Sequence, residues 1–266
     1  MPGILVDEGL CSRCGICSEV CPAGIIDPGD ATALPKIPQE KETKCIACGH
    51  CEAFCPPGAL IRGTGDDNRL FSHSGESITP DTLGQFLKNR RSIRRYRPEP
   101  VNRETLAQIL DIARYAPSGI NRQQVGWLVI SDADEIRKAA GLTVDWLRSL
   151  QKTGHPLGAV FAPYVATWDR GIDCICRNAP NLLVAHVPAL PGSPYADPIA
   201  ATDAIISLSY VDIAAPAFGV GTCWAGLVTG AARDYQPLQE VFGLPAGRAI
   251  AYAMMAGYPR YQPVRI

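Results

Sequence analysis

Eight of the eleven cysteines fall between positions 11 and 55, in two runs of identical spacing. Cys11, Cys14, Cys17 and Cys21 are followed by Pro22. Cys45, Cys48, Cys51 and Cys55 are followed by Pro56. Thiolates are soft ligands that suit zinc or iron–sulfur clusters. Structural zinc sites usually take their four ligands as two separated pairs. Here each run offers three close thiols and a fourth after a longer step. Three close thiolates wrap three corners of a cubane, and C-x2-C-x2-C-x3-C-P is a run that holds [4Fe–4S] clusters.

The elements that position these thiols are short. The spacing is that of bacterial ferredoxins with two clusters, in which the fourth cysteine ligates the other cluster. Cys11, Cys14, Cys17 and Cys55 are thereby assigned to one [4Fe–4S] cluster, and Cys45, Cys48, Cys51 and Cys21 to the second. Gly15 and Gly49 fall where the chain bends round the metal. Pro22 and Pro56 stop a helix from continuing past each run. His50 reads as a solvent-facing loop residue, because the cysteine set is already complete. Pro28 to Lys44, rich in proline and charge, reads as a hairpin or loop.

A second set of chemically capable residues begins at Arg90-Arg91-Ser92-Ile93-Arg94. Guanidinium forks match phosphate geometry, although a run of five arginines between Arg90 and Arg97 is also what a solvated face looks like. Further along come Pro117-Ser118-Gly119-Ile120-Asn121-Arg122-Gln123, Gly219-Val220-Gly221-Thr222-Cys223-Trp224 and Gly257-Tyr258-Pro259-Arg260. Hydroxyls and amides at Ser92, Ser118 and Asn121 suit a polyol chain or a ring edge. Gly219 and Gly221 allow a close backbone approach.

Amphipathic helices and short apolar strands carry these segments. Thr79-Pro80-Asp81 is a helix start, with Leu83, Phe86 and Leu87 at helical spacing. Further helices are expected from Asn102 to Ala113, over 132–150, 198–218 and 231–242. Strands are expected over 126–131, 160–168, 181–187 and 249–256. The domain organisation is read as a cluster module over 1–62, a linker over 63–79 and a second domain over 80–266. The fold class is α+β, with a central mixed sheet in the second domain.

In order and spacing, the four segments after residue 80 resemble the nitroreductase family, and the whole chain is similar to ferredoxin–nitroreductase fusions. The resemblance implies an α/β sandwich, homodimeric, with FMN at the subunit interface. It implies that Arg90, Arg91, Ser92 and Arg94 bind FMN. It implies that Pro117, Ser118, Gly119, Asn121 and Gln123 contribute from the facing subunit, and that the backbone of Gly221, Thr222, Cys223 and Trp224 lies near the flavin ring. Arg260 and Arg265 match basic positions near the phosphate. The side chains of Trp127 and Trp224 read as core, and Cys223 as a small buried thiol. His186, on an apolar strand, reads as a satisfied core histidine. Asp173 to Pro180 also looks like a family segment, with Cys174 and Cys176 where Pro and Phe are usual. Those two thiols read as structural before they read as a redox pair or an extra metal site.

These cofactors imply an oxidoreductase in which single electrons pass from a ferredoxin-type donor through two [4Fe–4S] clusters to FMN. The acceptor would be a small organic molecule such as a nitroaromatic, a quinone or an activated alkene. The flow could also run in reverse, or the chain could be an electron carrier or redox sensor without an organic substrate. No catalytic side chain stands out, because the chemistry belongs to the flavin. A net charge of −1 gives no case for nucleic acid. No secretory signal or membrane span is read, so a cytoplasmic protein is expected. No G-x-G-x-x-G follows a strand, so no Rossmann site for NAD is visible.

Overall fold

The computed structural model describes residues 3–62, 77–193 and 195–265. The chain divides into two compact units. One runs up to Ser77 and takes in Ile120–Arg122; the other is formed by the rest. Most of the expected linker lies outside the described residues.

The N-terminal unit is built on the doubled cysteine run. Strands β1 (Ile4–Val6) and β2 (Leu60–Arg62) pair antiparallel. Two one-turn helices contain the third cysteine of each run, α1 (Ile16–Glu19) with Cys17 and α2 (His50–Ala53) with Cys51. The repeat extends to the backbone. Gly15 and Gly49 cap the two helices at φ 76° and 75°, and Arg13 and Ala47 both sit at φ 56°. The apolar core is small: Cys17, Ile25, Ile26 and Leu60, with Ile4, Val6, Ile37 and four more cysteines against it. Between the runs, an isolated antiparallel bridge joins Asp27 and Lys36, and Gln39–Lys44 form a 3-10 helix.

The larger unit opens with α3 (Pro80–Asn89), capped by the Thr79 hydroxyl, which accepts from Thr82 N at 3.2 Å. Helix α4 (Arg103–Ala113) is capped by Asn102, which accepts from Thr105 N at 2.7 Å. Strand β3 (Gly126–Ile130) leads into α5 (Ala133–Lys152), where Asp132 accepts from two backbone amides at 2.9 Å. Such caps satisfy amides that have no partner inside the helix. There follow α6 (Pro156–Asp169), β4 (Asn181–Pro188), α7 (Pro198–Ala214), β5 (Gly221–Trp224), α8 (Gly226–Asp234), α9 (Gln236–Phe242) and β6 (Arg248–Gly257).

The strands order β3-β4-β6-β5, and every described pairing is antiparallel. The α+β class holds, while the parallel component of the expected mixed sheet is not among the described pairings. The two central strands are buried on both faces. Leu182, Val184, Ile250, Ala253 and Met255 pack under α5, α8 and α9. Leu183, Ala185, Val187, Ala251, Met254 and Ala256 pack under α4 and α7. Period-two alternation thus feeds two apolar layers from one sheet, and the strands read as continuous apolar runs.

Two expectations are corrected. Residues 160–168 form a helix, not a strand. A short apolar run looks the same in both; here His155 caps and Pro156 occupies the first turn. Gly158 lets α6 approach the end of α5, since a Cβ there would meet Gln151 N at 2.7 Å. The helix expected over 231–242 is two helices, broken at the extended Tyr235 (φ −124°, ψ 102°), two residues before Pro237, which lacks an N–H. Pro198–Phe218 is long and apolar enough to cross a membrane by length and composition. In this fold Ala200, Ala204, Leu208 and Val211 instead bury one face of it in the core under the sheet.

Candidate functional site

In the N-terminal unit the cysteines ring two small cavities. One is lined by Cys11, Cys14, Cys17 and Cys55, with Val6, Ile16 and Leu60. The other is lined by Cys21, Cys45, Cys48 and Cys51, with Ile25, Ile26 and Ile37. Each ring takes three thiols from one run and the fourth from the other. Among the described residues no three His, Cys, Asp or Glu side chains converge as a single ion requires. Four thiols spread round an apolar cavity instead fit a cluster with several metal corners. The backbone N–H of Ile16 and the Ser12 hydroxyl hold the exposed Cys14 thiol below its usual range, favouring thiolate. Burial pushes Cys17 and Cys51 the other way. His50 is exposed and stacks on Phe54, with centroids 5.8 Å apart.

In the larger unit, three of the sequence segments meet at one cleft of about 420 Å³. Its lining includes Arg90, Arg91, Ile93, Gly219–Thr222, Pro259 and Val264. Ile93 N donates to Thr222 O at 2.8 Å, and Tyr96 and Pro259 form a bridge, so the arginine segment lies along the glycine segment and the chain's end. Gly219 ends the preceding 3-10 turn at φ 70°. Gly221 has no room for a side chain: a Cβ would stand 2.4 Å from Ile93 Cγ1.

The remaining expected site residues are placed as follows. Ser92 and Arg94 do not line this cleft; Arg94 is exposed. Arg91 donates to the carbonyls of Lys88 and Arg90. Cys223 is buried on β5, and Trp224 packs edge-on against Tyr252 at 5.1 Å. In the Pro117–Gln123 loop, Ser118 Oγ accepts from Gln123 N at 3.1 Å, and Gly119 N donates to Asp203 at 2.9 Å. Asn121, which groups with the N-terminal unit, donates to the carbonyls of Ile46 and Ala47 at 3.1 and 3.0 Å. Ile120, Asn121 and Gln123 all have positive φ, at 45°, 54° and 49°. Strain of this kind costs about 1–3 kcal/mol per residue and clusters at functional sites. Arg260 stacks over Tyr261, with its guanidinium 5.7 Å from the ring centroid, and Arg265 is exposed.

One residue absent from the sequence reading emerges here. Asp212, buried on α7, accepts from the Thr222 hydroxyl and from Trp224 Nε1 (3.3 Å), and pairs with Arg90 (3.5 Å). Its signal in the sequence is that it is one of two acids inside a helix rich in apolar residues. Cys176 is wholly buried, with its thiol pushed far up by burial, and Cys174 donates to Tyr164 O. Asp173 collects three backbone amides at 2.8–2.9 Å and shapes the loop that holds them.

A three-layer α+β unit with an arginine- and glycine-lined cleft, joined to a unit with two four-cysteine cavities, defines a redox class of protein. A model of the nitroreductase family matches residues 87–258, and a model of 4Fe-4S dicluster domains matches residues 10–60. The chain belongs to the nitroreductase family. The "FMN reductase [NAD(P)H]" of Bacillus subtilis (strain 168) is 29% identical over 175 residues, covering 65% of this chain and 64% of that protein. The chain therefore spans just under two thirds of that relative's length. A nitroreductase with bound FMN from Desulfitobacterium hafniense DCB-2 shares the fold at TM-score 0.54, with 19% identity over 69% of this chain and 93% of its own. A second, with bound FMN, from Bacteroides fragilis NCTC 9343, gives TM-score 0.51 and 18% identity over 69% and 91%.

Proposed function

We propose that this chain, an iron–sulfur flavoprotein oxidoreductase, takes electrons from a ferredoxin-type donor and passes them through two [4Fe–4S] clusters to FMN. A small organic acceptor such as a nitroaromatic, a quinone or an activated alkene then receives them. When bound, the clusters supply single-electron steps and the flavin joins these to a two-electron reduction. The observation that carries the reading is the exchange of Cys21 and Cys55 between the two cysteine rings.

The chain's own residues divide the work. The eight cysteines hold the clusters, in small cavities whose walls are largely apolar: Ile4, Ile25, Ile26, Ile37 and Ile46 in one, Val6, Ile16, Ala59 and Leu60 in the other. Arg90, Ser92 and Arg94 supply charge and hydrogen bonds for the FMN phosphate and ring edge. Gly221 and Thr222 bring backbone close to the flavin, and the strained Pro117–Gln123 loop completes the site from a second copy. A homodimer fits the exposed Ile199, Ile205, Tyr210 and Ile213 on α7. Arg260 and Arg265 supply further positive charge for the phosphate. The domains follow the same division, with a cluster module over 1–62, a linker over 63–79 and a flavin domain over 80–266. Eleven cysteines, eight of them read as cluster ligands, support the reading of a reducing, cytoplasmic setting.

The test is purification without oxygen, followed by iron, sulfide and flavin analysis. About eight irons and one FMN per chain support the reading. Iron without flavin overturns its second half, and flavin without iron overturns its first.

A further inference from the structure

We propose that Asp212 sets the charge of the flavin site, as a positioning residue that binds Arg90 and β5 together and opposes negative charge on reduced FMN. The inference rests on the FMN reading above. Asp212 is one of two acids inside α7, and both are buried. A buried carboxylate is costly unless it is paired. Asp212 is paired on three sides, and all its partners belong to the segments that line the cleft or continue from it. Thr222 and Trp224 lie at the two ends of the Thr222–Trp224 stretch of β5, and Arg90 opens the arginine segment.

The other acid shows the contrast. Asp203 accepts from Gly119 N, and its second oxygen has no partner among the described residues. It meets no arginine among the described ion pairs. An apolar residue or an amide at 212 would fill the same space beneath β5 without the cost of a buried charge. A carboxylate there cancels part of the positive charge of Arg90, and burial keeps solvent from screening it. A flavin gains negative charge on reduction, so a fixed carboxylate nearby makes reduced FMN less stable and a stronger reductant.

The experiment uses the full-length holoprotein with Asp212→Asn, Asp212→Ser and Asp212→Glu, each checked for FMN content and titrated potentiometrically on the flavin band. The expected result is a positive shift of the FMN midpoint potential in Asp212→Asn, with Asp212→Glu close to wild type. Loss of packing alone would lower the melting temperature without ordering the potentials by charge. A potential unchanged in folded, FMN-loaded Asp212→Asn overturns the proposal, and Asp212→Ser decides the matter if the asparagine variant does not fold. Failure of both to fold while Asp212→Glu folds also overturns it, marking Asp212 as structural. Wild-type protein without FMN would instead overturn the reading on which the proposal stands.

Discussion

The backbone amide of Ile93 donates to the carbonyl of Thr222 at 2.8 Å, and Ile93's side chain fills the space a Cβ on Gly221 would need. Two motifs far apart in sequence are thereby fixed edge to edge. Gly221→Ala should separate them. Ile93 Cγ1 would stand 2.4 Å and Pro259 Cγ 2.9 Å from the new methyl. Overpacking of this kind costs about 1–3 kcal/mol. The expected outcome is a lower melting temperature together with reduced flavin content, read by thermal unfolding and absorbance of the purified protein. Full flavin content at wild-type stability would contradict the placement.

Exchange of the fourth cysteines makes a sharp prediction for metal content. Cys55→Ser should damage the cluster of Cys11, Cys14 and Cys17, and Cys21→Ser the cluster of Cys45, Cys48 and Cys51. Electron paramagnetic resonance of the reduced variants should show opposite clusters altered. If Cys55→Ser disturbed the cluster of its own run, the ligand assignment would be wrong.

If Arg90 holds the FMN phosphate as proposed, Arg90→Ala should raise the FMN dissociation constant by about tenfold or more. Arg94→Ala should weaken binding in the same direction. Fluorescence titration of the apoprotein with FMN measures both. Because Arg94 is exposed, its loss should leave the melting temperature of the apoprotein within about 1 °C of wild type.

His186 gives a pH dependence with a defined sign. Burial and the neighbouring Arg248 guanidinium hold its imidazole below the usual range, and Arg248 Nε donates to its Nδ1 at 2.9 Å. The folded state thus favours the neutral ring, and the unfolded chain binds the proton more readily. Stability is full above the unfolded value near 6.5 and declines as pH falls through it toward the folded value. Denaturant midpoints at pH 7.5 and 5.5 should differ more in wild type than in His186→Gln. Equal slopes in the two proteins would remove His186 as the cause.

Much of this was legible because the signals were local. Thr79, Asn102 and Asp132 are each helix caps in the structure, as their sequence context suggests. The spacing of the cysteines carried its chemistry because covalent geometry leaves a cubane few alternatives. The helix at Pro156–Asp169 reads as a strand because its apolar run has no polar face to mark a period, and Pro163 within it looks like a breaker. Asp212 was missed for a different reason. Its importance depends on α7 meeting β5 and Arg90, and no local pattern encodes that meeting. The positive φ of Ile120, a β-branched residue, was equally invisible, since nothing in its side chain favours that conformation.

The most direct test of the central claim is the rate at which reduced ferredoxin bleaches the FMN band under anaerobic stopped flow. It should be measured in wild type and in a flavin-loaded variant with Cys11, Cys14, Cys45 and Cys48 replaced by alanine. The account predicts rapid bleaching in wild type and its loss, by at least about a hundredfold, in the cluster-free variant, while dithionite still reduces the FMN in both. Equal bleaching by ferredoxin with and without the clusters would contradict it.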